Sequence, residues 1–183
     1  MGNSLGLHKL VVHPDTPSSG KFEVTVGVNR DGYLLELNFL IIGDNLRLLL
    51  PKPVSYKPER GDGLWKHTCF EAFWKPTSGS EYYELNVAPS CEFAVYHFGS
   101  YRAGMRDVDP CVPSIFYAPP NDGTALDVVF AQPFDGPSQL ALSAVIEETD
   151  GTKSYWALRH PPGPPDFHHA DCFALELAAP DLT

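Results

Sequence analysis

The chain has 183 residues, with 23 Asp or Glu against 13 Lys or Arg and a formal net charge of −10. This balance argues against a nucleic-acid partner, because phosphate binding needs clustered basic side chains. The 18 prolines and 15 glycines interrupt the chain about every five to six residues, which suits strands and is too short for an average helix. The composition therefore predicts an all-β protein rather than a helical bundle or a doubly wound fold.

The N-terminal segment and the cysteines predict a cytoplasmic protein. Residues 1–12 lack the charged and the continuous apolar regions of a signal peptide. The most apolar stretch, 39–42, is far too short to cross a bilayer, so we expect no membrane partner. Reduced, buried thiols are expected, since no CxxC spacing occurs among the four cysteines, Cys69, Cys91, Cys111 and Cys172.

Alternating apolar and polar residues predict strands along most of the chain. The first two candidates, 22–28 and 33–40, flank the hairpin signal Asp31-Gly32, and Asp150-Gly151 gives a second such signal near the C-terminus. Strands are also favoured where helical spacing is an alternative, at 138–149 and 166–179. The remaining candidate strands are 69–75, 81–87, 91–98, 124–131, 139–148 and 153–159.

Long proline-rich loops separate some of these strands, and connections of this length are often functional. They cover 51–64, 107–123 and 160–168. No repeat or composition break divides the chain, so we predict one domain over 1–183. Its fold is expected to be an antiparallel β-sandwich of about eight to eleven strands.

The segment 62–74 contains the first candidate binding residues. Alternation places Glu71 on one strand face with Cys69 and Phe73. Because a carboxylate among apolar residues needs a partner, Glu71 is either half of a buried ion pair or a carboxylate that lines a ligand cleft. Trp65, in the preceding loop, is either a stacking platform or a lid on the core.

A second polar row follows on the next candidate strand. Tyr82, Glu84 and Asn86 share one face, spaced about 7 Å apart, and such a row suits sugar hydroxyls because it can donate and accept hydrogen bonds. An ordinary solvated sheet face is the alternative. Arg102, beyond the following strand, is expected to pair with Glu71 or Glu84, or to bind an anionic or hydroxylated ligand.

The C-terminal third adds aromatic and metal-capable residues. Trp156 is interpreted as a core residue or as a second aromatic wall for a ligand. The metal-capable side chains match no zinc spacing, and HExxH is absent, so no metal is expected at His160, Asp166, His168, His169 or Asp171. No GxSxG elbow, phosphate loop or dinucleotide fingerprint occurs, although Glu71 and Glu84 allow a glycosidase-like pair.

Four segments together resemble a known family. They are 64–73 (LWKHTCFEAF), 83–90 (YELNVAPS), 101–105 (YRAGM) and 154–168 (SYWALRHPPGPPDFH). In these segments the chain resembles the bacterial DOMON-like proteins, which are grouped with the family-nine carbohydrate-binding modules. The resemblance implies a jelly-roll-like β-sandwich that binds a sugar or a haem, usually without catalysis.

The resemblance also implies roles for particular residues. Two aromatic side chains clamp a terminal sugar in the carbohydrate modules, and Trp65 and Trp156 are the nearest candidates here. The haem-binding relatives use a Met and a His as axial ligands, which implies Met105 with His160 or His168. The candidate ligand-binding residues are therefore Trp65, Glu71, Glu84, Asn86, Arg102, Trp156 and His168.

The prediction is a non-catalytic domain that binds a small molecule, expected to be a saccharide, with no cofactor. Three alternatives stay open: a haem-binding or redox module, an enzyme acting on a glycan or cell-wall precursor, and a structural or protein-interaction role.

Overall fold

A computed structural model describes residues 3–53, 55, 57–108, 112–118 and 124–180. These residues form thirteen strands and three short 3₁₀ helices, with no α-helix among them. The strands are β1 (Asn3–Val12), β2 (Phe22–Asp31), β3 (Leu34–Gly43), β4 (Glu59–Arg60), β5 (Cys69–Pro76), β6 (Tyr82–Val87), β7 (Glu92–Phe98), β8 (Arg106–Asp107), β9 (Ser114–Ala118), β10 (Thr124–Ala131), β11 (Ser138–Glu147), β12 (Lys153–Ala157) and β13 (Leu175–Leu177). The 3₁₀ helices are η1 (Asn45–Arg47), η2 (Leu64–Lys66) and η3 (Ala170–Cys172).

All thirteen strands belong to one curled sheet. Its order is β4-β7-β6-β5-β11-β12-β1-β2-β3-β10-β9, with β13 beside β11 and β8 beside β7. Every pairing is antiparallel except that of β4 with β7. Strand β1 joins two halves, because residues 3–10 pair with β2 and residues 11–12 pair with β12.

The main core lies between these two halves. Period-2 alternation sends Val24, Val26 and Leu37 inward from one half and Phe70 and Trp74 inward from the other. All of them are almost completely buried. The curled sheet therefore packs on itself in the manner of a β-sandwich.

The half that contains β5, β6, β7, β11 and β12 is also covered on its other face. There Phe73, Tyr96 and Val145 pack with Phe167 and Phe173 from the C-terminal segment. Both faces of these strands are consequently covered, which explains why β5 and β11 are buried along nearly their whole length.

The six candidate strands from 69–75 to 153–159 and both Asp-Gly hairpins are present. The first turn lies slightly later than predicted, because Asp31 pairs with Leu34 and leaves Gly32-Tyr33 as the loop. Gly32 has φ +56°, and a positive φ at this position is typical of tight hairpins. Of the ambiguous segments, 138–149 is a strand, whereas 166–179 contains both η3 and β13.

The thirteen strands exceed the predicted eight to eleven. Strands β4, β8 and β13 have only two or three residues, and β4 and β9 lie inside predicted loops. Strand β1 was not among the candidates, because Gly6 at φ +105° accompanies a register shift that interrupts its alternation.

Three cysteines are buried and free: Cys69, Cys91 and Cys172. Cys111 lies outside the described residues. Nowhere in the described part of the chain is there a helix long and apolar enough to cross a membrane.

Candidate functional site

A cavity of about 350 Å³ opens on the sheet face opposite the main core. Its floor comes from β5, β6, β7, β11 and β12, and its walls come from η2, the turn after β7 and the segment before η3. The residues that line it are Trp65, Glu71, Glu84, Tyr96, Phe98, Arg102, Met105, Val145, Tyr155, Pro165, Phe167 and His168.

Two carboxyl groups lie in the floor of this cavity. Glu71 on β5 is 3% exposed and Glu84 on β6 is 6% exposed. Glu71 pairs with Asn86, and Glu84 pairs with Phe73, so the two glutamates are diagonal neighbours on one face. Alternation places both on the cavity side, because the residues next to them point into the main core.

Burial raises the pKa of both carboxyl groups. For Glu71 the pKa lies well above its usual range, first because of desolvation and then because of the nearby Glu84 charge. Desolvation also raises the pKa of Glu84 to about 7, against the opposing effects of the Asn86 amide and the Arg102 guanidinium. The pair therefore retains a proton near neutral pH, and a carboxyl group that holds a proton can donate a hydrogen bond as well as accept one.

The imidazole of His168 lies beside this pair and is neutral at pH 7. Its Nδ1 is 2.8 Å from the Tyr82 hydroxyl, and its Nε2 is 3.7 Å from Glu84 Oε2. Desolvation, helped by the positive charge of Arg102, lowers the pKa of His168 to about 4. A neutral imidazole with two polar contacts is suited to hydrogen bonding rather than to charge pairing.

Asp166 holds the rim of the cavity in place. Its Oδ1 accepts from Arg102 Nη2 at 2.8 Å and from the His168 backbone N–H at 3.2 Å, and Tyr101 donates its hydroxyl proton to Oδ2. These bonds lower the pKa of Asp166 against the effect of its burial. Asp166 therefore stays ionised and fixes the Arg102 guanidinium, the Tyr101 phenol and the backbone of His168 at one place.

Arg102 takes its position from an unusual backbone conformation. Its φ of +52° is in the left-handed region, which side-chain-bearing residues seldom adopt, and its backbone N–H donates to the Tyr82 hydroxyl at 3.1 Å. The ion pair that the sequence suggested with Glu71 or Glu84 is made with Asp166 instead. About half of the Arg102 side chain remains exposed at the cavity.

Aromatic rings form much of the remaining wall. Trp65 lies in η2, is 41% exposed, and contacts the ring of Tyr96 edge-on with their centroids 6.1 Å apart. The 3₁₀ turn begins at Gly63 with φ +72°, which turns the chain so that Trp65 borders the cavity. Tyr155, Phe98 and Phe167 complete the aromatic lining.

Five of the seven residues predicted to bind ligand line this cavity: Trp65, Glu71, Glu84, Arg102 and His168. The structure places Asn86 beneath it, fully buried, where Nδ2 donates to Glu84 Oε1 at 2.6 Å. Asn86 thus positions a cavity residue rather than lining the cavity.

Trp156 lies elsewhere, in the main core, and does not line the cavity. It is 4% exposed, and its Nε1 donates to Ser154 Oγ at 2.9 Å. Because neighbouring strand residues point to opposite faces, it is Tyr155 that faces the cavity. Alternation along β12 separates Tyr155 from Trp156, so it would have identified Tyr155 as a cavity residue if the sequence had shown which face of β12 borders the cavity.

The residues implied for haem ligation are only partly brought together. Met105 and His168 both line the cavity. The Tyr82 hydroxyl occupies Nδ1 of His168, whereas Nε2, 3.7 Å from Glu84, makes no hydrogen bond to any described residue. His160 lies apart, with Nε2 2.8 Å from the Val11 carbonyl oxygen and its ring against His13. Within the described ranges no three His, Cys, Asp or Glu side chains gather as a metal-binding group.

Comparisons with known proteins find similarity in structure only. No protein-family model matches the chain, and no curated protein is similar enough in sequence to count as a relative. A "putative carbohydrate-binding protein" from Bacteroides uniformis superimposes with a TM-score of 0.65 at 15% identity, over 94% of this chain and 85% of that one. A family-nine carbohydrate-binding module from Caldicellulosiruptor kristjanssonii, in complex with cellotriose, gives 0.49 at 9% identity, over 84% and 74%. The first of these likenesses establishes the fold alone.

Proposed function

We propose that this chain binds a small carbohydrate in the cavity and does not transform it. The observation that carries the proposal is the convergence of Trp65, Tyr155, Glu84, Arg102 and His168 on one opening of about 350 Å³. That volume lies in the range of small-molecule sites, which are mostly apolar with a few placed polar groups.

The lining matches the chemistry of a sugar. Aromatic rings such as Trp65 and Tyr155 offer apolar faces to the C–H groups of a pyranose. Hydroxyl groups need both donors and acceptors, which the Arg102 guanidinium, the neutral His168 and the partly protonated Glu84 supply. The Bacteroides uniformis protein that shares the fold is itself called a carbohydrate-binding protein, which is consistent with this ligand class.

We also propose that the fold is a jelly-roll-like sandwich, that the chain is one of the DOMON-like proteins, and that the protein is cytoplasmic. The free, buried state of Cys69, Cys91 and Cys172 supports a reducing compartment.

Calorimetric titration with mono- and oligosaccharides at millimolar concentration tests the proposal. Binding by the unaltered protein, lost in Trp65→Ala and Tyr155→Ala, is the expected result. Phe116→Ala is the matched control, because Phe116 is an exposed aromatic residue on β9, in the other half of the sheet. Absence of binding to every saccharide tested would refute the proposal.

The two carboxyl groups in the cavity favour one alternative, hydrolysis or transfer of a glycan. Incubating the protein with oligosaccharides and analysing the products by mass spectrometry tests it. Products that disappear in both Glu71→Gln and Glu84→Gln would establish an enzyme, and unchanged oligosaccharide would support simple binding. A Soret band after haem addition would favour the haem alternative, through Met105 and His168.

A further inference from the structure

The carboxyl groups of Glu71 and Glu84 have no cationic partner in the described part of the chain. No Lys or Arg nitrogen there lies within 4.0 Å of either of them. Arg102, which also lines the cavity, makes its ion pair with Asp166 at 2.8 Å. His168, at 3.7 Å from Glu84, is neutral at pH 7.

Few protein donors reach these carboxyl oxygens. Among the described residues, Glu71 receives one hydrogen bond, from Ser143 Oγ at 3.4 Å, and Glu84 receives one, from Asn86 Nδ2 at 2.6 Å. An ionised carboxylate has about four lone-pair sites. Since both residues line the cavity, their remaining acceptor capacity is available to a ligand.

We infer that the sugar bound in this cavity is an amino sugar, whose protonated amine lies between Glu71 and Glu84. This inference rests on the proposed function and narrows it to one ligand class. An ammonium group has three N–H donors. It also supplies a positive charge next to Glu71 and Glu84, where no described Lys or Arg side chain forms an ion pair with them. A cation bound between them favours the ionised form of both carboxyl groups, so the proton that the pair retains in the free protein is released to solvent on binding. Hydrogen bonds in which the donor or the acceptor is ionised are about twice as strong as neutral ones.

The rest of the cavity fits the uncharged part of such a sugar. Phe98 and Phe167 offer apolar surface to the ring, and Arg102 at the rim can reach hydroxyl groups. A bare metal ion fits less well, because no three His, Cys, Asp or Glu side chains of the described residues gather in a group that could hold one. An N-acetylated sugar has no charge on its nitrogen, and a sugar with a hydroxyl group at the same carbon has no charge there either. Both sugars should therefore bind more weakly than the amino sugar.

Three β-1,4-linked trisaccharides that differ only at C2 provide the test: the trimers of glucosamine, N-acetylglucosamine and glucose. Calorimetric titration of the whole protein at physiological salt is expected to show at least tenfold tighter binding of the glucosamine trimer than of the other two. In Glu84→Gln and in Glu71→Gln, this preference should fall to within about threefold. Using both variants keeps the test valid if one of them fails to fold.

A general attraction of cationic sugars to the negatively charged protein would give a different pattern. The net charge of −10 is barely altered by one substitution, so such a preference would survive in both variants and refute the inference. Glu81→Gln is the matched control, because Glu81 is half exposed, pairs with His97 and does not line the cavity. It should keep the full preference.

The outcomes separate the inference from the proposed function. Equal affinity for all three trimers, lost in Trp65→Ala, refutes the amino-sugar inference and leaves carbohydrate binding in place. No binding of any trimer or other saccharide refutes both.

Discussion

Trp65 and Trp156, the two candidates for the sugar clamp that the family resemblance implies, should respond differently to substitution. Trp156 is 4% exposed and belongs to the main core, whereas Trp65 is 41% exposed at the cavity. Trp156→Ala is expected to destabilise the fold. Trp65→Ala is expected to weaken binding.

The magnitudes follow from the buried area. A tryptophan buries about 200 Å², which at about 25 cal/mol per Å² gives about 5 kcal/mol for Trp156→Ala, in agreement with the range of about 3–5 kcal/mol for such truncations. For a chain of this length the melting temperature should fall by about 10 °C or more. Trp65 is about three-fifths buried. By the same area argument, Trp65→Ala should therefore lower the free energy of unfolding by at most about 3 kcal/mol.

Urea unfolding followed by far-UV circular dichroism measures the stabilities, because each substitution removes a fluorophore. Calorimetry with the tightest-binding saccharide measures affinity, and we expect Trp65→Ala to lose about 2 kcal/mol, or about thirtyfold in Kd. Trp156→Phe, which keeps most of the core volume, should change Kd by less than about twofold. A Trp156→Phe protein that folds normally but binds as poorly as Trp65→Ala would show that the assignment of the two faces of β12 is wrong.

Three further predictions concern pH dependence and buried polar groups. The raised pKa of Glu84, about 7 against 4.5, means that the folded state holds the extra proton, so the stability from this group falls by up to about 3 kcal/mol between about pH 4.5 and 7. The lowered pKa of His168, about 4 against 6.5, acts in the opposite sense, so the stability from this group rises between about pH 4 and 6.5. Relative to the unaltered protein, the urea midpoint should therefore increase with pH in Glu84→Gln and decrease with pH in His168→Gln over this range, and profiles parallel to that of the unaltered protein would contradict the assignment. Glu148, fully buried, accepts from the Ser19 and Gly20 backbone N–H groups and from Arg47 Nε. Glu148→Ala should therefore lower the free energy of unfolding by about 3 kcal/mol in urea, whereas Asp150→Ala, at an exposed carboxylate, should lower it far less. Asp166→Asn should weaken saccharide binding about tenfold because it loosens Arg102 and His168, and titrations showing unchanged affinity would mean that the rim needs no such support.

Period-2 alternation made much of the site predictable. It is a local property of extended backbone, so it grouped Glu71 with Cys69 and Phe73, and Glu84 with Tyr82 and Asn86, before any tertiary contact was known. The Asp-Gly pairs likewise located the hairpin of β2 with β3 and that of β11 with β12, because these turns depend on only a few adjacent residues. Both kinds of prediction are confirmed by the structure.

Contacts between distant residues were not predictable in this way. The bond from Arg102 to Asp166 joins residues 64 positions apart, and neither residue carries a local signal for the other. The pairing of β1 with both halves of the sheet is equally remote, and Gly6 interrupts the alternation that would have marked the strand.

The sequence by itself determined that the chain forms strands and which side chains share a strand face, because both depend on backbone geometry within a few residues. Only the tertiary structure decided which face of each strand borders the cavity. On β11 and β12 both faces are apolar, so alternation separates Tyr155 from Trp156 without ranking them. Tertiary packing decides which face meets which layer. The sheet curls over one face and the C-terminal segment covers the other, because burying apolar surface in each contact lowers the free energy of the folded state.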